Sequence, residues 1–469
     1  MSLKKNFLYS SLLTTSNYIF PLITYPYVSR ILGVTNIGRY NFADSIINYF
    51  IMFSVMGIGI IGIREIAGTQ EDKANRNKAF SALFLLNAIL TLIALVVLLV
   101  CIFTVPDLYD NKNLMYVGIL KLVSNLFLID WFYKGVEKFK YITNITLSIK
   151  FLYVISVFLF VKESNDYTIY YLLCTLMITF NAIANFTYVF KFVKLNFKSL
   201  NIKKYLRTNF VLGIYCFLTS MYTSFNVAYL GFVSGNTEVG YYTTGTKLFT
   251  IIIALYSAFT GVMQPRMSSL LSENKFDEFI SLIKKSIDLL VTITIPAVLF
   301  THFFSPEIIR IISGEGYEGA IMPTKIVMPL IFIIGYEQIL VVQILTPLKK
   351  DKQILINSIL GAVIGLILNL ILVNKYASIG SAIAWVISEI TVLISAQYFV
   401  SQFTPIRFPY KKVIKGIIIY MPLVLLYWGI SIYMNSNFII NITTGAVITG
   451  IYVLIAKRKF ILELIKLRN

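Results

Sequence analysis

Val28-Ser29-Arg30-Ile31-Leu32-Gly33-Val34-Thr35-Asn36-Ile37-Gly38-Arg39-Tyr40 reads as the turn of an apolar hairpin whose second arm ends at Gly62-Ile63-Arg64. Further along, the pattern recurs as Leu230-Gly231, then Gly240-Tyr241-Tyr242, another apolar run, and Pro265-Arg266. Tyr40 to Arg64 and Tyr242 to Arg266 are each 24 residues apart, while the turn lengthens from five residues (Gly33 to Gly38) to nine (Gly231 to Gly240). A duplicated helical hairpin in an apolar chain predicts a transporter of two related lobes with a substrate path between them.

Composition points the same way. Of 469 residues, 57% are hydrophobic and 13% charged, and the mean hydropathy is +0.77. Soluble domains carry roughly a quarter charged residues, so the chain reads as an all-α integral membrane protein. Its apolar runs approach the ~20 residues that cross a ~30 Å hydrocarbon core, unlike the short alternating strands of an outer-membrane barrel. About fourteen transmembrane helices are expected, from 7–32 to 437–456. Residues 1–195 form a lobe of six spans, 196–402 a second lobe of six, and 403–469 two additional helices with a basic tail. Lys4-Lys5 precedes an apolar run without a small-residue cleavage site, which suggests an uncleaved first helix.

A net charge of +19 would suggest nucleic acid in a soluble protein. Here thirty-one of the 41 Lys and Arg fall in alternate connections, the positive-inside pattern, so no nucleic-acid partner is expected and both termini are placed in the cytoplasm. Cys101, Cys174 and Cys216 all lie in apolar runs with no disulfide or metal spacing, and His302 reads as a packed or interfacial residue. No metal or catalytic cluster is expected. Gly240 and Gly245 have the spacing of a phosphate-binding loop, but Thr246-Lys247 follows in the wrong order, which argues against direct use of ATP.

An ionisable group at membrane depth costs about 2.5–3.5 kcal/mol on insertion scales, so each needs a partner or a wet cavity. Lys121 and Lys150 lie deep in the first lobe and Lys247 in the second. They read either as a basic lining that attracts an anionic group or as structurally paired or snorkelling lysines. Glu337 and Glu389 read as coupling residues for H+ or Na+, or as buried partners of Lys247 or Lys325. Asp44 and Asp288 lie closer to span ends. Asp130 is out of phase with Lys121 on a continuous helix, so a local ion pair with Lys134 is expected. Pro21 and Pro26 weaken the first span and suit a gate.

The stretches Ser29 to Gly33, Ile37-Gly38-Arg39-Tyr40 and Gly62-Ile63-Arg64-Glu65 resemble the Wzx-type polysaccharide-unit flippases, of the superfamily that also holds lipid II flippases and multidrug and toxin extrusion transporters. Also similar are Asp130-Trp131-Phe132-Tyr133-Lys134-Gly135-Val136-Glu137, Glu238 to Tyr242, Pro265-Arg266-Met267-Ser268, Gly314-Glu315-Gly316-Tyr317 and Ile379-Gly380-Ser381-Ala382. The resemblance implies a flippase without cofactor that turns an undecaprenyl-pyrophosphate-linked oligosaccharide repeat unit from the cytoplasmic to the outer leaflet of a bacterial inner membrane by alternating access. It implies basic cavity residues at the pyrophosphate, for which Arg30, Lys121 and Lys150 are the candidates here, with Lys247 in the second lobe. The expected partners are the lipid-linked oligosaccharide, membrane lipids, a polysaccharide polymerase and a chain-length regulator. A cation-coupled multidrug exporter and a teichoic-acid precursor flippase are the alternatives within the class. A membrane-embedded glycosyltransferase or polymerase is the alternative outside it.

Overall fold

The computed structural model describes residues 3–69, 72–196, 202–223, 225–433 and 438–458, and every regular element among them is helical. The chain divides into two compact units, Met1–Gly240 and Tyr241–Asn469.

The first unit opens with α1 (Leu3–Val55), 53 residues long. At 1.5 Å per residue these residues amount to about 80 Å of helix, more than twice the ~30 Å of a hydrocarbon core. It is interrupted at Gly33, where φ is 72° and ψ 167°, a conformation that glycine adopts without the Cβ penalty other residues meet. In place of the turn expected over Gly33 to Tyr40 the helix is broken at one residue, and helix resumes at Val34. Gly38 serves a different purpose. A Cβ there would overlap the backbone carbonyl of Asn236, and one at Gly240 would overlap that of Val34. Thr35 and Thr237 share a hydroxyl hydrogen bond (2.9 Å) at this close approach.

Met56 (φ 43°) breaks the chain before α2 (Ile58–Ala67), which is bent by 40° from α1. Next come α3 (Lys73–Thr104), α4 (Pro106–Asp110), α5 (Lys112–Leu128), α6 (Asp130–Gly135), α7 (Phe139–Phe160) and α8 (Tyr167–Val189). Asp72 caps α3 by accepting the Asn75 backbone N–H on its carboxylate (3.0 Å), which holds that exposed acid below its usual range. Ile129 (φ 38°) separates α5 from α6, so the Asp130 motif sits on a short elbow rather than on a continuous span. Trp131 packs on Gly62, Ile66 on Gly135, and Phe80, Phe132 and Tyr133 complete a buried aromatic core. Burying each of these rings contributes a few kcal/mol.

Helices α9 (Lys203–Thr223) and α10 (Phe225–Ser234) pack on α1 and α2. The sequence division at 195/196 places them in the second lobe, whereas the contact boundary falls at Gly240. The reason is steric fit: Leu212 sits against Gly57, and the Phe42 ring fills the space over Gly231.

Helix α11 (Asn236–Gly245) crosses the unit boundary, and α12 (Lys247–Ser272), α13 (Phe276–Ser313), α14 (Ile321–Val327) and α15 (Leu330–Gln338) follow. A π-helical turn over Ile339–Leu345 leads to α16 (Asp351–Phe403), 53 residues broken at Ala377 (φ 47°). Helices α17 (Tyr410–Tyr433) and α18 (Phe438–Ala456) both pack on α13.

Ten helices among the described residues are long and apolar enough to cross a membrane, eleven if the bent α1–α2 pair counts as one span. Because α16 is broken midway and exceeds twice the length of one crossing, ten is a floor rather than a tally of passes. The outer surface fits a lipid solvent. Leu92, Val96, Val100 and Phe103 form an exposed apolar row along α3.

Candidate functional site

Thr143, Thr146, Lys150 and Tyr153 recur at three- and four-residue spacing, so α7 presents them on one face. That face is a polar seam. Thr143 donates to the Tyr9 carbonyl (3.0 Å), Thr146 to Asn181 Oδ1 (3.0 Å), and Tyr153 meets Cys174 Sγ (3.4 Å). The Lys150 ammonium donates to Ser16 Oγ (2.8 Å) and Asn17 Oδ1 (2.5 Å), with the Phe20 ring 5.8 Å away. Tyr27 ties the same two helices further along, donating to the Val161 carbonyl (2.8 Å).

Lys150 is 6% exposed. Among the described residues no carboxylate stands within salt-bridge distance of it. Neutral acceptors satisfy two of its three donors but leave its charge uncompensated, an arrangement that costs free energy unless an anion completes it. Asn17 lies four residues before Pro21, so its carbonyl has lost its helical N–H donor. The ammonium thus grips α1 just where proline loosens it.

Lys121 is held differently. It donates to Asp44 Oδ1 (2.6 Å) and Asn48 Oδ1 (2.9 Å), with side chains 12% and 20% exposed for the lysine and the aspartate. Tyr40 stacks edge-on against Tyr170 and Tyr171 (5.0 and 5.4 Å), and Tyr40 and Tyr171 lie within electrostatic range of Asp44. The first unit therefore holds one lysine with a carboxylate partner, on α5, and one with neutral acceptors alone, on α7. Asp44 and Asn48, four residues apart on one face of α1, are the partners that reading each span separately missed.

The other candidates fall elsewhere. Arg30 is exposed and its guanidinium donates to the Pro26 carbonyl of its own helix. Pro21 and Pro26 are both carried within helical α1, where Thr24 donates to the Phe20 carbonyl (3.2 Å). Lys247 begins α12 and is half-buried. Asp130 corrects the expected local pair. It starts α6 and accepts from Asn185 Nδ2 (2.9 Å), while Lys134 acts on it only at longer range, because the left-handed Ile129 turns the carboxylate toward α8.

In the second unit Glu389 is 2% exposed. Its Oε1 accepts from Trp385 Nε1 (2.9 Å), and its Oε2 has no hydrogen-bond partner among the described residues. Glu337 lies within electrostatic range of it, and no lysine or arginine among the described residues forms a salt bridge with either. Gln338 beside Glu337 bonds Ser257 (2.8 Å) and Thr260 (3.0 Å) of α12. No group of three metal-ligating side chains occurs among the described residues.

Fold and site together define a multi-pass membrane transporter. The architecture is similar to the lipid II flippase MurJ in an inward closed conformation, with TM-score 0.79 at 17% identity, covering 97% of this chain and 99% of that one. It is also similar to an inward-facing multidrug resistance MATE family transporter of the MOP superfamily, with TM-score 0.63 at 13% identity over 82% and 94%. Residues 3–271 match the polysaccharide biosynthesis protein family, and the chain belongs to it. Relatives include a candidate O-antigen transporter from Escherichia coli (strain K12), 27% identical over 84% of this chain and 95% of that one. The capsular polysaccharide biosynthesis protein CapF of Staphylococcus aureus is 27% identical over 84% and 98%.

Proposed function

We propose that this transporter flips an undecaprenyl-pyrophosphate-linked oligosaccharide repeat unit from the cytoplasmic to the outer leaflet of a bacterial inner membrane, by alternating access, for O-antigen or capsule assembly. The observation that carries this reading is Lys150, a buried ammonium without a carboxylate inside a transporter of the polysaccharide family. Its charge suits a lipid-linked pyrophosphate. A cationic drug would be repelled there. The glycan needs a carrier because moving each hydroxyl unpaired into hydrocarbon costs about 1–3 kcal/mol. The positive-inside bias supports cytoplasmic termini, and a polymerase and chain-length regulator are the expected downstream partners. Deleting the gene is expected to accumulate the lipid-linked repeat unit on the cytoplasmic face, and restoring the chain to clear it. Unchanged lipid-linked glycan together with new drug sensitivity would overturn the reading in favour of an exporter.

Glu337 and Glu389 supply ion coupling. A buried and a half-buried carboxylate in range of each other repel unless a proton or a cation sits with them, and the open Glu389 Oε2 offers the place. An outward-moving pyrophosphate already gains about 2.3 kcal/mol per charge per 100 mV from an inside-negative potential, so the ion resets the empty carrier. Glu389→Gln is expected to remove the dependence of turnover on an imposed H+ or Na+ gradient in proteoliposomes while leaving substrate affinity within a few-fold. A gradient dependence equal to that of the wild type would exclude this role.

A further inference from the structure

The elbow between α6 and α7 opens a groove of about 680 Å³ lined by Val136, Glu137, Lys138, Lys140, Tyr141, Asn144 and Ile145. Its polar lining carries two lysines against one acid, so it is net positive. Among the described residues neither Lys138 nor Lys140 stands in a salt bridge. The walls behind it are aromatic. Tyr141 stacks on Tyr188 with centroids 4.1 Å apart and 16° between planes, Lys191 lies over the Tyr188 ring (4.8 Å), and Lys138 faces Phe192 (5.8 Å). These contacts hold cationic side chains at the groove without consuming their charge in ion pairs.

The rest of α7 shows what reaches the groove. From Lys140 and Asn144, steps of three and four residues lead through Ser148, Phe151, Ile155 and Leu159 along one face. Phe151 is 62% and Leu159 61% exposed, and Ile155 is exposed as well. One stripe of helix therefore runs from a basic, hydrogen-bonding pocket to an open apolar track. That is the order of headgroup and acyl chain in a membrane lipid. Lysines at an anionic membrane surface each contribute to lipid attraction, while Tyr141 and the Lys138 and Lys140 stems suit the interfacial depth.

We propose that this groove is a binding site for the headgroup of an anionic phospholipid, whose tail lies along Phe151, Ile155 and Leu159. The site is separate from the Lys150 seam, because the groove face of α7 is not the face that carries Thr143, Thr146, Lys150 and Tyr153.

Native mass spectrometry of the full-length protein in detergent, titrated with phosphatidylglycerol, phosphatidylcholine or inorganic phosphate, tests it. Phosphatidylglycerol is expected to bind the wild type at least tenfold more tightly than phosphatidylcholine. The double variant Lys138→Gln/Lys140→Gln is expected to lose roughly thirtyfold in that affinity. Lys73→Gln/Lys78→Gln removes equal charge from exposed positions outside the groove and is expected to bind as the wild type does. Equal losses in the two double variants would overturn the proposal as general charge attraction, and equal binding of both lipids would overturn it as non-selective. Displacement of bound phosphatidylglycerol by millimolar inorganic phosphate would assign the groove to a free anion instead.

Discussion

Lys150→Gln is expected to cut flipping by roughly a hundredfold while leaving the protein folded and its thermal stability unchanged or raised. Glutamine keeps hydrogen-bonding capacity toward Ser16 and Asn17 but removes the charge. A hydrogen bond to a charged group contributes about 1.5–3 kcal/mol, which sets the scale of the loss if an anionic substrate group completes the ammonium. Removing a desolvated cation relieves the apoprotein rather than harming it. Activity falls while stability does not, and this separates a binding lysine from a structural one. Lys150→Arg, which keeps the charge on a bulkier fork, is expected to retain partial activity. Wild-type complementation by Lys150→Gln, measured as clearance of lipid-linked repeat units, would remove Lys150 from the substrate path.

Lys121 is expected to behave in the reverse way. Lys121→Met removes the counterion of the Asp44 carboxylate, which keeps the Asn48 Nδ2 donor (3.0 Å), and the predicted destabilisation is about 2–3 kcal/mol, below the 3–5 of a fully buried pair because both partners keep some exposure. The double variant Lys121→Met/Asp44→Leu should recover most of it. A double-mutant cycle read by thermal unfolding in detergent checks this. Additive losses would show that the pair is not coupled.

The contrast between these two lysines explains how far the sequence could be read. Apolar runs, alternating basic connections and the repeated Gly–aromatic turn made the helical membrane architecture legible, because lipid permits few alternatives to helices. Lys121 and Lys150 were both visible as costly residues at depth. Which of them carried an internal counterion was not, since Asp44 is remote from Lys121 in sequence and meets it only through the packing of α1 on α5. Asp130 was misjudged for a related reason. Its spacing to Lys134 is intact within α6, but the left-handed Ile129 ahead of it gives no composition signal, and Asn185 on α8 reaches the carboxylate through packing. The one-residue break at Gly33 is likewise hidden in a stretch that reads as a longer turn.

The bonds that Thr143 and Lys150 donate to Tyr9 and the Ser16–Asn17 pair, and that Tyr27 donates to Val161, have a mechanical result. They rivet the first helix to α7 at three levels, on both sides of Pro21 and with the last just past Pro26. Any swing at the prolines would then carry α7 along or shear these rivets in turn, so such a motion would move a two-helix paddle and not a lone flexing rod. An anion that drew the Lys150 ammonium away from Asn17 would undo the middle rivet first, leaving the paddle fastened only at its ends.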